Sequence, residues 1–212
     1  MSVCVKICGL TNRADALFAI DCGADYIGFV LYPRSPRYVS PEALRTIAAA
    51  LPPAPPRVGV FVNCETHFVA DVADACGLAI VQLHGRETAA NAQALGPERV
   101  WKAFDLKTPR DVTAACAFPA AAVVVDAMVP GQWGGSGKTG DWRLAKELAD
   151  HRRVVLAGGL NAGNVAMALE HVRPDVVDVS SGVEASPGRK DPDAVRRFID
   201  AVRGAHAQQR DA

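Results

Sequence analysis

The chain has 212 residues, of which 50% are hydrophobic, 22% are charged and 6% are aromatic. A chain of this length and composition is typical of one globular domain, which needs neither disulfides nor a metal ion to be stable. The 23 basic and 23 acidic residues balance, and no basic stripe interleaved with aromatic residues is present, which disfavours a nucleic-acid-binding protein.

The apolar runs and the spacing of the cysteines bear on the location of the protein and on its cofactors. No apolar run reaches the roughly 18 residues of a membrane span, and no signal-peptide core is found near the N-terminus. The six cysteines are dispersed, at positions 4, 8, 22, 64, 76 and 116. This spacing disfavours a zinc site and a disulfide framework and favours a reducing compartment. We therefore expect a cytoplasmic protein without a metal ion or other cofactor and without a nucleic-acid or membrane partner.

Short β-branched segments alternate along the chain with longer segments of helical periodicity. The predicted strands are residues 3–8, 25–31, 57–63, 79–84, 99–105, 121–126, 153–157 and 175–180. The predicted helices are residues 13–22, 41–51, 65–76, 88–95, 109–117, 141–150, 164–171 and 192–203. Eight strand–helix units in succession indicate parallel strands with right-handed crossovers.

The number and spacing of these units predict an α/β fold, a single-domain (β/α)8 TIM barrel, over residues 1–204, with a flexible C-terminal tail over residues 205–212. An open doubly wound sheet is the alternative. Its dinucleotide-binding form would need a G-x-G-x-x-G turn after the first strand. The sequence there reads Gly9-Leu10-Thr11-Asn12, so the barrel is favoured.

Strand alternation predicts which side chains point into the barrel at the ends of the strands. Cys8 ends the first strand on the same face as Lys6, and Asp126 ends the sixth strand. A buried cysteine is most often an inert packing residue, but a neighbouring cation is expected to lower the pKa of the Cys8 thiol. Asp126 is either a cap of the following turn or an acid. A thiol and a carboxyl on one rim are the groups that a general base and a general acid require.

Three glycine-rich segments follow the last three predicted strands. They contain the candidate binding residues Gly135, Ser136, Gly137, Gly158, Gly159, Ser180, Ser181 and Gly182. Glycines let the main chain approach a ligand, successive N–H groups bind anions, and barrels often hold phosphate at this place. One such segment is usually only a turn, but three on one rim predict a phosphate site. The first is not a Walker loop, because Gln132 stands where the loop needs a glycine.

Two further polar residues are candidate binding residues. Arg37 lies in the long segment after the second strand, where a guanidinium suits a carboxylate, although a loop arginine is more often solvated. His84 ends the fourth strand and faces inward with Gln82. Its alternative role is that of a hydrogen-bonded rim residue.

The order of these motifs resembles that of the phosphoribosylanthranilate isomerase family, from residue 5 to about residue 199. The motifs are KICGLT (6–11), GF (28–29), SPRYV (35–39), VGVFVN (58–63), QLHG (82–85), GGSG (134–137), DW (141–142), AGGL (157–160), NV (164–165) and SSGVE (180–184). Each motif is short, but the set in this order is highly specific.

The resemblance implies an isomerase of tryptophan biosynthesis, and thus of aromatic amino-acid biosynthesis, that needs no cofactor. This family performs an Amadori rearrangement of N-(5-phosphoribosyl)anthranilate to 1-(2-carboxyphenylamino)-1-deoxyribulose 5-phosphate. It implies that Asp126 is the general acid that opens the ribose ring, that Cys8 is the general base and that Arg37 pairs with the anthranilate carboxylate. These roles lead us to expect that Asp126 is partly buried and that the pKa of Cys8 is lowered.

Related phosphosugar barrels are the nearest alternatives. The histidine-pathway isomerase family carries an aspartate where Cys8 stands, and an isomerase acting on both substrates stays open. A pentose-phosphate epimerase would need a metal set, for which only His84 and Asp126 are available. A non-catalytic phosphosugar-binding barrel would need neither Cys8 nor Asp126. Since no large apolar helix face is left over, the expected assembly is a monomer, with a homodimer as the alternative.

Overall fold

The computed structural model describes residues 3–126 and 142–210, with side chains described up to residue 205. Within these residues, eight parallel strands pair in chain order and close into a barrel between β8 and β1. The strands are β1 (Cys4–Ile7), β2 (Tyr26–Val30), β3 (Arg57–Phe61), β4 (Ile80–Leu83), β5 (Val100–Phe104), β6 (Ala122–Asp126), β7 (Val154–Ala157) and β8 (Val176–Val179). The predicted (β/α)8 barrel is confirmed, and every predicted strand end lies within two residues of the observed end.

A helix follows each strand on the outside of the barrel. The helices are α1 (Arg13–Asp21), α2 (Pro41–Ala49), α3 (Thr66–Ala75), α4 (Ala89–Leu95), α5 (Pro109–Ala117), α6 (Trp142–Ala149), α7 (Val165–Val172) and α8 (Pro192–Arg210). Asn12 and Ser40 cap the first two helices by accepting main-chain N–H groups, and such caps contribute about 1 kcal/mol each. The last helix was predicted to end at residue 203 and continues to Arg210. No helix among the described residues combines the length and the apolar character needed to cross a bilayer.

An apolar layer fills the barrel interior towards the amino-terminal ends of the strands. It consists of Val58, Trp101, Ala122, Val124, Val155 and Val176, all of them buried. The Trp101 ring packs edge-on against Tyr26, with ring centroids 5.1 Å apart. Because this layer fills the amino-terminal half of the barrel interior, the space for a ligand lies at the carboxyl-terminal ends of the strands.

A short antiparallel hairpin, which the sequence did not predict, follows β8 on the same rim. Its strands are β9 (Glu184–Ser186) and β10 (Arg189–Lys190). The main-chain N–H of Lys190 donates to Asp15 Oδ2 at 2.9 Å, and Thr11 donates to the carbonyl of Gly188. These bonds attach the hairpin to the start of α1.

Candidate active site

A cavity of about 320 Å³ opens at the carboxyl-terminal ends of the strands. The predicted site residues that line it are Cys8, Arg37, His84, Asp126, Gly158, Gly159, Ser180 and Ser181. Gly135, Ser136 and Gly137 lie outside the described residues. The structure therefore brings together, in one cavity, residues from the carboxyl-terminal ends of five strands and from the segment after β2.

Gly182 is not among the described residues that line the cavity, and its predicted binding role stays a prediction. A Cβ at this position would lie 1.9 Å from the carbonyl oxygen of Leu160. The residue is thus required to be glycine by the close packing of the segment after β8 against the segment after β7. Gly182 thereby allows close packing of the two segments that carry the predicted phosphate site.

Cys8 is buried at the end of β1, directly above Lys6. Lys6 Nζ donates to Cys8 Sγ at 3.3 Å. Gly28 on β2 leaves the room for both side chains, because a Cβ there would lie 2.8 Å from Sγ and 3.0 Å from Lys6 Cε. Burial raises the pKa of the Cys8 thiol, and the opposing effect of Lys6 is smaller. The expectation of a lowered pKa is therefore wrong.

Two effects raise the pKa of Cys8 against Lys6: burial of the thiol, which is the larger, and Asp178, the second partner of Lys6. Lys6 Nζ also donates to Asp178 Oδ2 at 2.6 Å and to Gln82 Oε1 at 2.8 Å. Burial alone would lower the pKa of Lys6, but Asp178 and Cys8 hold it above its usual value. The nearby Asp178 carboxylate offsets much of the ammonium charge, and it also acts on Cys8 to raise the thiol pKa. Desolvation of the thiolate thus outweighs the field of the ion pair.

Asp178 was not among the predicted site residues, although a signal for it exists. It stands in the otherwise apolar strand β8, where its register opposite Lys6 places it inside the barrel. Its Oδ1 atom is buried and accepts no hydrogen bond from the described residues. Asp178 also lines the cavity, so it can accept a hydrogen bond from a ligand.

His84 lies at the end of β4 and lines the cavity, as predicted. Its Nδ1 atom is 3.0 Å from Nε2 of Gln82. Gln82 Oε1 accepts a hydrogen bond from Lys6, so the amide nitrogen of Gln82 donates to Nδ1 of His84. The neutral imidazole of His84 then carries its proton on Nε2. Burial of the ring lowers the pKa of His84, and the negative charge of Asp126 raises it by a smaller amount.

Asp126 ends β6 and is exposed, so the partial burial expected for it is not found. It faces the same cavity as Cys8. The two residues reach the cavity from β6 and β1, which are separated in the barrel by β7 and β8. A thiol and a carboxyl therefore approach one ligand-sized space from different walls.

Arg37 reaches the cavity from the segment after β2 and is paired with Glu184 at the start of β9. Arg37 Nε donates to Glu184 Oε1 at 2.8 Å, and Nη2 donates to Oε2 at 2.6 Å. Lys190 Nζ donates to the same Oε1 at 2.9 Å. Burial alone would raise the pKa of Glu184, but the bonds from Arg37 and Lys190 hold it below its usual value. Sequence reasoning assigned no role to Glu184 or Lys190.

No grouping of three His, Cys, Asp or Glu side chains that could hold a metal ion occurs within residues 3–126 and 142–205. The cavity instead presents a buried thiol, an exposed carboxyl, an imidazole and a guanidinium. Such a set suits proton transfer on a ligand that carries negative charge.

Comparison with known proteins agrees with this chemistry. The family model for N-(5'-phosphoribosyl)anthranilate (PRA) isomerase matches residues 5–201. The isomerase of that name from Citrifermentans bemidjiense is 49% identical over 195 residues, which are 92% of this chain and 94% of the relative. The isomerase from Thermotoga maritima is 48% identical over 203 residues, 94% of this chain and 98% of the relative.

Solved structures show the same relationship. The crystal structure of phosphoribosyl anthranilate isomerase from Thermotoga maritima has a TM-score of 0.87 at 48% identity and covers 95% of this chain and 99% of its own. A second isomerase structure, in complex with reduced 1-(o-carboxyphenylamino)-1-deoxyribulose 5-phosphate, has a TM-score of 0.85 at 44% identity, with 95% and 99% coverage. The chain belongs to the N-(5'-phosphoribosyl)anthranilate isomerase family.

Proposed function

We propose that this chain isomerises N-(5-phosphoribosyl)anthranilate to 1-(2-carboxyphenylamino)-1-deoxyribulose 5-phosphate, an Amadori rearrangement in tryptophan biosynthesis. The observation that carries the proposal is that Cys8 and Asp126 line one cavity from different strands of a barrel of this family. The reaction needs one group that delivers a proton to the sugar and one that removes a proton from it.

Asp126 is the general acid in this proposal. It delivers a proton to the ribose ring oxygen as the bond from that oxygen to C1 breaks, and the anthranilate nitrogen lone pair forms an iminium with C1. Asp126 is suited to this step because it stands at the open rim, where its carboxyl can reach a sugar and exchange protons with water.

Cys8 is the general base. Its thiolate removes the proton from C2, which gives an enolamine, and the enolamine becomes the ketone as C1 gains a proton and O2 loses one. The burial that raises the pKa of Cys8 makes the thiolate scarce but also makes it a stronger base once it forms. Lys6, which donates to Sγ, stabilises the thiolate at that stage.

The two charged ends of the substrate have matching partners in the cavity. The carboxylate is proposed to bind Arg37, and the phosphate is proposed to bind the main chain near Gly158, Gly159, Ser180 and Ser181, all of which line the cavity. His84 and Asp178 lie between these ends and are available to the sugar hydroxyls. No metal ion or cofactor takes part in these steps.

The experiment is a turnover assay with the purified chain. The fluorescence of N-(5-phosphoribosyl)anthranilate is followed over time in buffer that contains a metal chelator. We expect conversion at the same rate with and without the chelator. Binding without conversion would instead support the non-catalytic phosphosugar-binding barrel, and turnover of the histidine-pathway substrate in a parallel assay would support an isomerase of both pathways.

We also propose that the enzyme is a cytoplasmic monomer. All six cysteines are free, which suits a reducing compartment. Among the described residues the exposed large hydrophobic side chains are Tyr38, Phe68 and Met167, and these lie on separate elements. A further structure shows monomers of the dimeric Thermotoga maritima isomerase, so a homodimer is the alternative.

A further inference from the structure

The cluster of Arg37, Glu184 and Lys190 contains two cations and one anion beside the cavity. The side chains of Glu184 and Lys190 are 4% and 2% exposed, and that of Arg37 is 22% exposed. Another carboxylate, Asp15, accepts from the main-chain N–H of Lys190 and not from Nζ. Among the residues that the structure describes, Glu184 therefore balances only one of the two cations, and the cluster carries an excess positive charge.

The geometry of the Arg37 pair directs part of this charge towards the cavity. A guanidinium has two edges that can each bind a carboxylate with two hydrogen bonds. Glu184 occupies the edge formed by Nε and Nη2. The other edge, formed by Nη1 and the second proton of Nη2, makes no hydrogen bond to the part of the chain that the structure describes, and Arg37 lines the cavity, so this edge is available to a ligand.

Lys190 is fixed in place by a second contact. Its Nζ donates to the carbonyl oxygen of Ser180 at 3.1 Å as well as to Glu184 Oε1 at 2.9 Å. Ser180 lines the cavity at the end of β8. Lys190 thus holds Glu184, and through it Arg37, at a set position relative to the end of β8.

We infer that Lys190 is a positioning and specificity residue that makes the Arg37 subsite selective for a carboxylate on an aromatic ring. It offsets the charge of Glu184, so that Arg37 is held by Glu184 but still presents positive charge to the ligand. Without Lys190, the Arg37–Glu184 pair is neutral, and an added carboxylate meets the repulsion of Glu184. With Lys190 present, Glu184 and the bound carboxylate together balance the charges of Arg37 and Lys190. The inference rests on the proposed function, because that substrate carries the carboxylate.

The test measures affinity and not turnover. Two ligands are titrated by calorimetry: reduced 1-(o-carboxyphenylamino)-1-deoxyribulose 5-phosphate and the same compound without the ring carboxylate. For the wild-type chain we expect a preference of about 100-fold for the carboxylate ligand, the size expected of charge-assisted hydrogen bonds. Lys190→Met is expected to reduce the preference to less than about 10-fold, with the affinity for the carboxylate-free ligand unchanged. Arg37→Ala is the positive control and removes the preference.

A double variant separates charge from structure. Glu184→Gln combined with Lys190→Met removes one charge of each sign, so Arg37 is again uncompensated, and we expect most of the preference to return. Lys190→Arg keeps the charge and is expected to keep the preference. The inference is overturned if Lys190→Met retains the full preference, or if the double variant is as unselective as Lys190→Met.

The test also covers a variant that does not fold and a failure of the proposed function. If Lys190→Met does not fold, Lys190→Gln, which removes the charge but keeps a side chain that can donate to Glu184, takes its place and is judged by the same criterion. If the wild-type chain shows the carboxylate preference but does not convert the substrate, the proposed function fails, and the Lys190 variants still decide the inference because the titrations do not depend on turnover.

Discussion

The thiol of Cys8 lies where two physical effects oppose each other. Removal of water raises its pKa, and the ammonium of Lys6, 3.3 Å from Sγ, lowers it by a smaller amount. At neutral pH Cys8 is therefore held as the thiol. A buried thiol is also less reactive towards oxidants than a thiolate, which would suit the role of base that we propose for Cys8.

This balance gives a prediction for the titration of Cys8. Because the pKa is raised, thiolate forms only as the pH rises above the value of about 8.5 of a free cysteine. The measurement is the rate of alkylation, or the ultraviolet absorbance of the thiolate, against pH. Cys8→Ser is the matched control, since it removes this thiol and keeps the other five cysteines. A midpoint for Cys8 below that of a free cysteine would contradict the account, and Lys6→Met is expected to move the midpoint further up.

The site residues divide into those that the sequence predicted and those that it could not. Cys8 and Asp126 are found because alternation along a strand assigns each residue a face and a height. Glu184 and Lys190 were missed because their roles come from contacts between distant segments, such as the 147-residue separation of Arg37 and Glu184. The pKa of Cys8 was misjudged because burial of the thiol is the larger effect and because Lys6 is also bonded to Asp178, 172 residues away.

At the scale of elements, the first and last strands of the barrel are joined by a buried ion pair. The register of β1 and β8 sets Lys6 beside Asp178, and the side chains are 0% and 7% exposed. A buried pair is costly to desolvate, so its net contribution to stability is small, but the loss of one partner leaves an uncompensated charge.

We expect Lys6→Met to lower the free energy of unfolding by about 3–5 kcal/mol, because the Asp178 carboxylate is left buried and unpaired. Combining Lys6→Met with Asp178→Asn removes that charge and is expected to recover most of the loss. Chemical denaturation of the wild type, the single variant and the double variant measures this. A double variant as unstable as Lys6→Met would show that the ion pair is not the cause.

The eight strands and helices were predictable because each has its own local pattern, a period of two or of 3.6 residues. The hairpin of β9 and β10 has strands of three and two residues, too short to show a period. It is held by contacts to Asp15 and Thr11, which are distant in sequence. The extension of α8 to Arg210 was missed because the apolar periodicity of that helix ends before residue 204.

At the scale of the whole molecule, a chain with no net charge gathers buried charged groups of both signs at one end of a closed barrel. The apolar layer around Trp101 fills one half of the interior, and the buried groups Lys6, Gln82 and Asp178 begin above it. Apolar burial thus stabilises the amino-terminal half of the barrel interior. The carboxyl-terminal half can hold polar groups that form hydrogen bonds with a ligand.

The surface of the described residues predicts the oligomeric state. Stable dimers bury a continuous surface of roughly 1,200–2,000 Å² with an apolar centre, and the exposed Tyr38, Phe68 and Met167 belong to the segment after β2, to α3 and to α7. We expect sedimentation equilibrium to give a mass near the 22.3 kDa of one chain. A mass of twice that value, independent of dilution, would contradict the monomer.

The steady-state turnover of N-(5-phosphoribosyl)anthranilate by the wild type, Cys8→Ala and Asp126→Asn tests the central claim most directly. General acids and bases contribute about 10²–10⁴ in rate, so each variant is expected to lower kcat by at least about 100-fold. The affinity for the reduced product analogue should stay near that of the wild type, which shows that the cavity is intact. A kcat close to the wild-type value in either variant would contradict the assignment of Cys8 as base and Asp126 as acid.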